Sequence, residues 1–164
     1  MLEYAQTAVL TDPGPLLGVS FKPHHVGVAV RNIERALAYF VQVLGFRKMS
    51  EPVEVPSQGV RVCFVHAGPG FNIELVEGIG EDSPVARVLS QIGGGPYHLC
   101  FEVPDLDLAV QRLRDAGFFR LKRFTAWVPL INAGLTGKQM KRFAFMLTPD
   151  RQLIELCEGD GESA

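Results

Sequence analysis

The chain has 164 residues, 47% of them hydrophobic, which is enough apolar material for one domain core, or for two small modules sharing one, without staples. A formal net charge of -2 offers no basic field for nucleic acid or an anionic membrane, so neither partner is expected and a small-molecule ligand is left. Cys63, Cys100 and Cys157 are odd in number, lie in apolar runs and lack CxxC spacing, which argues against a disulfide framework or zinc ribbon and fits the cytoplasm.

In chain order, residues 1–21 read as an N-terminal arm. They lack a basic start, and "TDPGP" interrupts any apolar core of a leader. No stretch approaches the roughly 18 to 20 apolar residues of a membrane span. A first module is expected over 22–78. It opens with the strand "HHVGVAV", followed by a helix capped by Asn32, with Ile33, Ala36, Leu37, Phe40 and Leu44 at core spacing and Gly45 as its stop. Strands then follow at "FRKMSEPVEV" (46–55), "GVRVCFVHAG" (59–68) and "FNIELVEG" (71–78). Residues 79–96 read as a linker with a short helix, capped by Ser83, opened by Pro84 and closed by Gly93.

A second module is expected over 97–158, with a tail at 159–164. It repeats the plan: the strand "YHLCFEV", a helix capped by Asp105 with Leu106, Ala109, Val110 and Leu113 inward, a stop at Gly117, then strands at 118–124, 141–149 and 152–159. His25 and His98 lie 73 residues apart, and so do the caps Asn32 and Asp105. A shared offset across strand and helix points to duplication. Each half has one helix and covers one face of its sheet, so two halves side by side can curl their bare faces into a shared cleft.

Strand parity assigns the faces. Val26, Val28 and Val30 pack under a helix while His25, Gly27 and Ala29 face away; Tyr97, Leu99, Phe101 and Val103 pack while His98, Cys100 and Glu102 face away. In the last strands Ile73, Leu75, Ile154 and Leu156 pack, leaving Glu74 and Glu155 on the bare face. Two imidazoles and two carboxylates converging in a desolvated cleft suit a divalent cation, the nitrogens favouring Zn, Ni, Co or Fe and the carboxylates also accepting harder Mn or Mg. Taken singly, a histidine in this phase is more often a hydrogen-bonded core residue than a ligand, and Glu155 alone could pair with an arginine, but the recurrence of all four at equivalent places in two copies favours a metal site.

On these residues the chain resembles the vicinal oxygen chelate superfamily, which includes glyoxalase I, extradiol dioxygenases and antibiotic-resistance proteins. The stretches "HHVGVAV", "NIERALAYF", "SQGV", "IELVEG", "EDSPVARVLSQIGGG", "YHLCFEV" and "LIELCE" are most similar to the methylmalonyl-CoA epimerases within it. The resemblance implies an α+β fold of two tandem βαβββ modules forming a U-shaped mixed sheet around a metal-binding cleft. It implies metal donors at His25, Glu74, His98 and Glu155, with Glu155 also moving the proton next to a metal-chelated carbonyl. It further implies an acyl-CoA thioester substrate and a homodimer. Glyoxalase I-like lactoylglutathione lyase, extradiol dioxygenase and a non-catalytic ligand-binding resistance protein are the alternatives.

The chain also departs from the family. Val62 stands where some epimerases carry a second base, with Glu102 as a candidate substitute, and Tyr97 stands where they often have a further histidine. His66 shares the parity of Val62 and reads as a cleft residue or a strand-end surface histidine. The segment 124–142, "FTAWVPLINAGLTGKQMKR", reads as a long apolar loop. Its Trp127, Pro129, Leu130 and Ile131 are expected to wall the cleft or a dimer contact. Arg120, Lys122, Arg123, Lys138, Lys141 and Arg142 are expected to meet coenzyme A phosphates or to form a solvated basic edge.

Overall fold

A computed structural model describes residues 18–129, 131 and 135–159. Most of the expected arm, Leu130 and the tail beyond Gly159 lie outside the described residues. The strands are β1 (Lys22–Val30), β2 (Arg47–Lys48), β3 (Val53–Val55), β4 (Val60–Gly68), β5 (Phe71–Gly78), β6 (Gly95–Val103), β7 (Phe119–Pro129), β8 (Lys138–Leu147) and β9 (Leu153–Glu158). The helices are α1 (Ile33–Leu37), extended by a wider π-type turn over Ala38–Val43, then α2 (Ala86–Ile92) and α3 (Leu106–Asp115). All nine strands form one mixed sheet in the order β2-β4-β5-β1-β6-β9-β8-β7, with β3 also on β4. No helix among the described residues is long and apolar enough to cross a membrane.

The expected repeat is visible in the order of the strands. β1 pairs parallel with β5, β6 pairs parallel with β9, and the antiparallel β1–β6 pair joins the two halves. Both helices start where their caps predict, Asn32 Oδ1 accepting from Arg35 N at 2.8 Å and Asp105 Oδ1 from Leu108 N at 2.9 Å. Such caps satisfy donors that the first helical turn cannot. Leu106, Ala109, Val110 and Leu113 of α3 bury against Ala144, Met146 and Leu156. Ile33 and Ala36 of α1 bury against Cys63, Val65, Ile73 and Leu75.

Leu44 is exposed, contrary to the helical spacing. The π-type turn rotates positions after Leu37 off the 3.6-residue period, so Tyr39, Val43 and Leu44 face outward. The run 46–55 is two strands rather than one. Buried Ser50 interrupts it, its Oγ accepting the Phe64 N–H at 2.9 Å where a ladder carbonyl would stand, and Pro52 follows with no N–H to give. Helix α2 starts at Ala86 rather than at Pro84, because Ser83 first closes a turn, its Oγ accepting from Val85 N and its carbonyl from Ala86 N.

The largest correction is at 124–142, which is mostly sheet. β7 and β8 stay paired from Phe119↔Leu147 to Pro129↔Lys138, burying Ala126 while Trp127 stays exposed. Apolar content suggests a loop, but alternation of inward and outward side chains makes it a hairpin. The long hairpin brings the second module's free edge toward the first module's: Lys122 Nζ donates to Ser57 O at 2.9 Å, and Glu51 N donates to Leu135 O at 2.7 Å. The sheet therefore nearly closes on itself around the cleft.

Candidate metal centre

β1 and β6 each donate one histidine at the junction of the halves, and β5 and β9 flank them with one glutamate each. Glu74 sits between Ile73 and Leu75, and Glu155 between Ile154 and Leu156; these neighbours pack on the helix side and turn the acids inward. All four side chains are buried, His25, Glu74, His98 and Glu155 being 7%, 8%, 4% and 4% exposed. One donor atom from each lies within 4.8 Å of the others. His25 Nε2 is 3.1 Å from His98 Nε2 and 3.3 Å from both Glu74 Oε2 and Glu155 Oε2; His98 Nε2 is 3.6 and 3.5 Å from the same oxygens.

These separations fit a shared cation. Donors about 2.1 Å from one ion lie about 3 Å apart at right angles. Glu155 Oε2 is buried with no hydrogen-bond partner among the described residues, although it is aimed at the two imidazoles. Neutral nitrogen and anionic oxygen donors are the ligand types that a divalent transition metal takes.

The imidazoles and carboxylates set one another's charge. Burial opposes protonation of His25, but the Glu74 and Glu155 carboxylates overcome it and raise its pKa to about 10. Burial would raise Glu155, yet the His25 and His98 imidazoles outweigh it and hold that carboxyl well below its usual range. A bound cation would take over the positive charge that a proton otherwise supplies.

Two further features seat the histidines. A Cβ on Gly27 would fall within the His98 ring, so only glycine lets that imidazole lie flat on β1. The β1–β6 register skips His24 on one strand and Tyr97 on the other, a bulge on each. Tyr97 therefore does not join the packing face predicted by parity; it lines the cleft beside His98, and burial pushes its hydroxyl pKa well up. Leu99, on the opposite face, is exposed rather than packed.

Beside the four donors lies a cavity lined by Val55, Gln58, Val60, Val62, Val76, Tyr97, Val128, Phe143 and Phe145, together with Glu74, His98 and Glu155. Val62 is wall, as its side chain requires. Glu102 is not part of this lining; it pairs with buried Lys141 at 3.4 Å and with Lys22 at 3.9 Å, so it is a poor stand-in base. His66 sits at the end of β4, its Nδ1 2.9 Å from Asn72 Oδ1. Among the expected phosphate contacts, Arg123 and Arg142 are tied to Asp107, Arg142 also to Glu158, and Lys122 to Ser57 O. His24, Gln58, Val128 and Phe145 carry no role in the sequence reading. The doubled pattern "HH" and "YH" was the one available signal for His24.

Residues 24–126 match the Glyoxalase/Bleomycin resistance protein/Dioxygenase superfamily, and the chain belongs to it. Over 93 residues, 56% of this chain and 52% of the relative, it is 41% identical to the mitochondrial methylmalonyl-CoA epimerase of Bos taurus. It is 39% identical over 95 residues to the ethylmalonyl-CoA/methylmalonyl-CoA epimerase of Cereibacter sphaeroides, covering 57% of this chain and 69% of that one. The chain spans about half the length of the mitochondrial relatives it matches. The crystal structure of methylmalonyl-CoA epimerase from Mycobacterium tuberculosis superposes with a TM-score of 0.67 at 27% identity, covering 84% of this chain and 87% of that one.

Proposed function

We propose that the chain is a divalent-metal-dependent epimerase acting on methylmalonyl-CoA or a close 2-alkylmalonyl thioester of coenzyme A. The observation that carries this reading is the buried set of two imidazoles and two carboxylates, one of each from either half, in a chain related to named epimerases. That kinship weighs for epimerisation of an acyl-CoA thioester over the glyoxalase I, extradiol dioxygenase and ligand-sequestering readings.

When bound, the metal (Co, Zn, Ni, Mn, Mg or Fe) supplies a Lewis acid for the thioester and carboxylate oxygens and thereby acidifies the carbon between them. His25, His98, Glu74 and Glu155 would hold it. Glu155 would take the α-proton, the electron pair passing to the thioester oxygen, and would later return the proton to carbon. Valine at 62 offers no acceptor, so removal and return of the proton would both fall to Glu155. The walls of Val60, Val62, Val76, Phe143 and Phe145 exclude water, which strengthens the charge interactions inside. Gln58 and Tyr97 are the polar tips left to orient substrate oxygens.

Three buried free cysteines support a reducing cytoplasm. A homodimer suits the groove at the β1–β6 junction, whose lining includes Val26, Phe71, Leu99 and Phe101, with Phe71 and Leu99 exposed. The division into modules at 22–78 and 97–158 goes with the same reading. Metal analysis followed by deuterium exchange from solvent into the α-position of methylmalonyl-CoA tests the function. Metal-dependent exchange with inversion is expected, and metal-loaded protein that exchanges nothing would overturn the epimerase.

A further inference from the structure

We infer that His24 is a positioning residue for the donor His25, and that Tyr97 at the matching place leaves His98 without that support, so the two imidazoles are unequal ligands. The inference rests on the metal reading proposed above, and its test separates the two.

The two residues are placed alike. Each is the residue skipped by the β1–β6 register, each precedes a donor histidine, and they lie 73 positions apart. Their chemistry then diverges. His24 Nδ1 is 2.7 Å from His25 Nδ1, while His25 Nε2 faces the other three donors. One proton shared between these Nδ1 atoms, carried on His25 and accepted by His24, leaves the His25 Nε2 lone pair free for a cation. An accepted Nδ1–H fixes the tautomer and ring orientation of a ligating imidazole and makes its other nitrogen a better donor.

His24 is itself held in place. Its ring stands edge-on to Phe64, 6.2 Å between centroids, and its carbonyl accepts from Asn72 Nδ2 at 3.2 Å. On the other side the Tyr97 ring meets His98 edge to face, 4.7 Å between centroids, with no polar contact between them. His98 Nδ1 is buried and has no hydrogen-bond partner among the described residues. Contact with the bare backbone of Gly27 steadies the His98 ring, which fixes its position but not its tautomer.

The test measures zinc affinity at one fixed pH by chelator competition, alongside ring-nitrogen NMR of the zinc-loaded protein. His24→Phe is expected to weaken zinc binding by about 10- to 100-fold and to remove the hydrogen-bonded Nδ1–H signal of His25. His24→Gln, whose amide oxygen still accepts, is expected to stay within about threefold of the unchanged protein. Tyr97→His is expected to tighten binding several-fold by giving His98 the missing acceptor. Equal affinities for His24→Phe and the unchanged protein, or a Gln variant as weak as the Phe variant, would reduce His24 to packing and overturn the inference. If His24→Phe does not fold, His24→Gln and Tyr97→His decide alone: Gln weakening binding tenfold, or Tyr97→His leaving it unchanged, overturns it. No zinc binding by the unchanged protein would instead overturn the metal reading, and the inference with it.

Discussion

The two halves of the sheet share strand order, helix caps and donor types, yet the spaces flanking the donors differ. On one side, next to Tyr97, the first module contributes Val60, Val62 and Val76, and beyond Glu74, His98 and Glu155 the only polar side chains in the cavity lining are Gln58 and Tyr97. Around His24 the neighbours are Glu102, Lys141, Cys100 and Cys157. Burial, then His25 and Lys141, push His24 down to about 4, so it is neutral at ordinary pH. Symmetry thus gathers four donors at one point, and departures from symmetry make the spaces on its two sides chemically unlike. A duplicated fold gains a matched donor set from what its copies keep and unlike flanks from what they change.

Breaking the pair of carboxylates should have the largest effect. Glu155→Gln is expected to lower turnover on the order of 10²- to 10⁴-fold, whereas Glu74→Gln, which retains an oxygen donor, should chiefly weaken metal binding. Exchange kinetics at saturating metal distinguish these outcomes; equal losses of turnover would deny the two glutamates different tasks. Next in size is the contrast between Gly27 and Cys100, which occupy equivalent places in β1 and β6. Gly27→Ala forces the His98 ring away and should cost about tenfold or more in zinc affinity, while Cys100→Ala should stay within about threefold. Calorimetric titration of both variants checks this.

The cores should be matched. Leu75 and Leu156 are both fully buried, and each Leu→Ala change should cost about 2 to 5 kcal/mol in denaturant unfolding, without preference for either half. The caps should match on a smaller scale, Asn32→Ala and Asp105→Ala each costing about 1 kcal/mol.

A pH series sharpens the electrostatic part of the comparison. In metal-free protein the His25 pKa is raised from 6.5 to about 10, so its proton stabilises the fold fully below 6.5, and that contribution is lost as pH climbs through 10. Metal must displace this proton. Binding between pH 7 and 9 should release about one proton, and affinity should rise with pH across that window, as titrations in buffers of different ionisation enthalpy would record.

Much of this was legible before folding. Caps, core faces of α3, the repeat and the inward phase of all four donors follow from spacing, because strand parity and helical period are local rules that the backbone obeys wherever nothing interrupts it. Where something interrupts the backbone, parity and period no longer predict the faces. Tyr97 faces the cleft rather than the packing side because a bulge adds a residue without any mark in composition. A wider helical turn carries Leu44 outward, and 124–142 forms a hairpin rather than a loop because its stability comes from pairing across a turn, which composition does not show.

The sequence by itself determined which residues could bind a cation, since donor type and parity are written into "HHVGVAV", "IELVEG", "YHLCFEV" and "LIELCEG". Only the tertiary structure decided that they meet within one ion's reach, that glycine makes room for His98, and that His24 stands behind one imidazole while no described residue partners the other's Nδ1. Those outcomes depend on inter-strand register and on approach distances of a few ångströms, which arise from pairing distant segments and have no local signature.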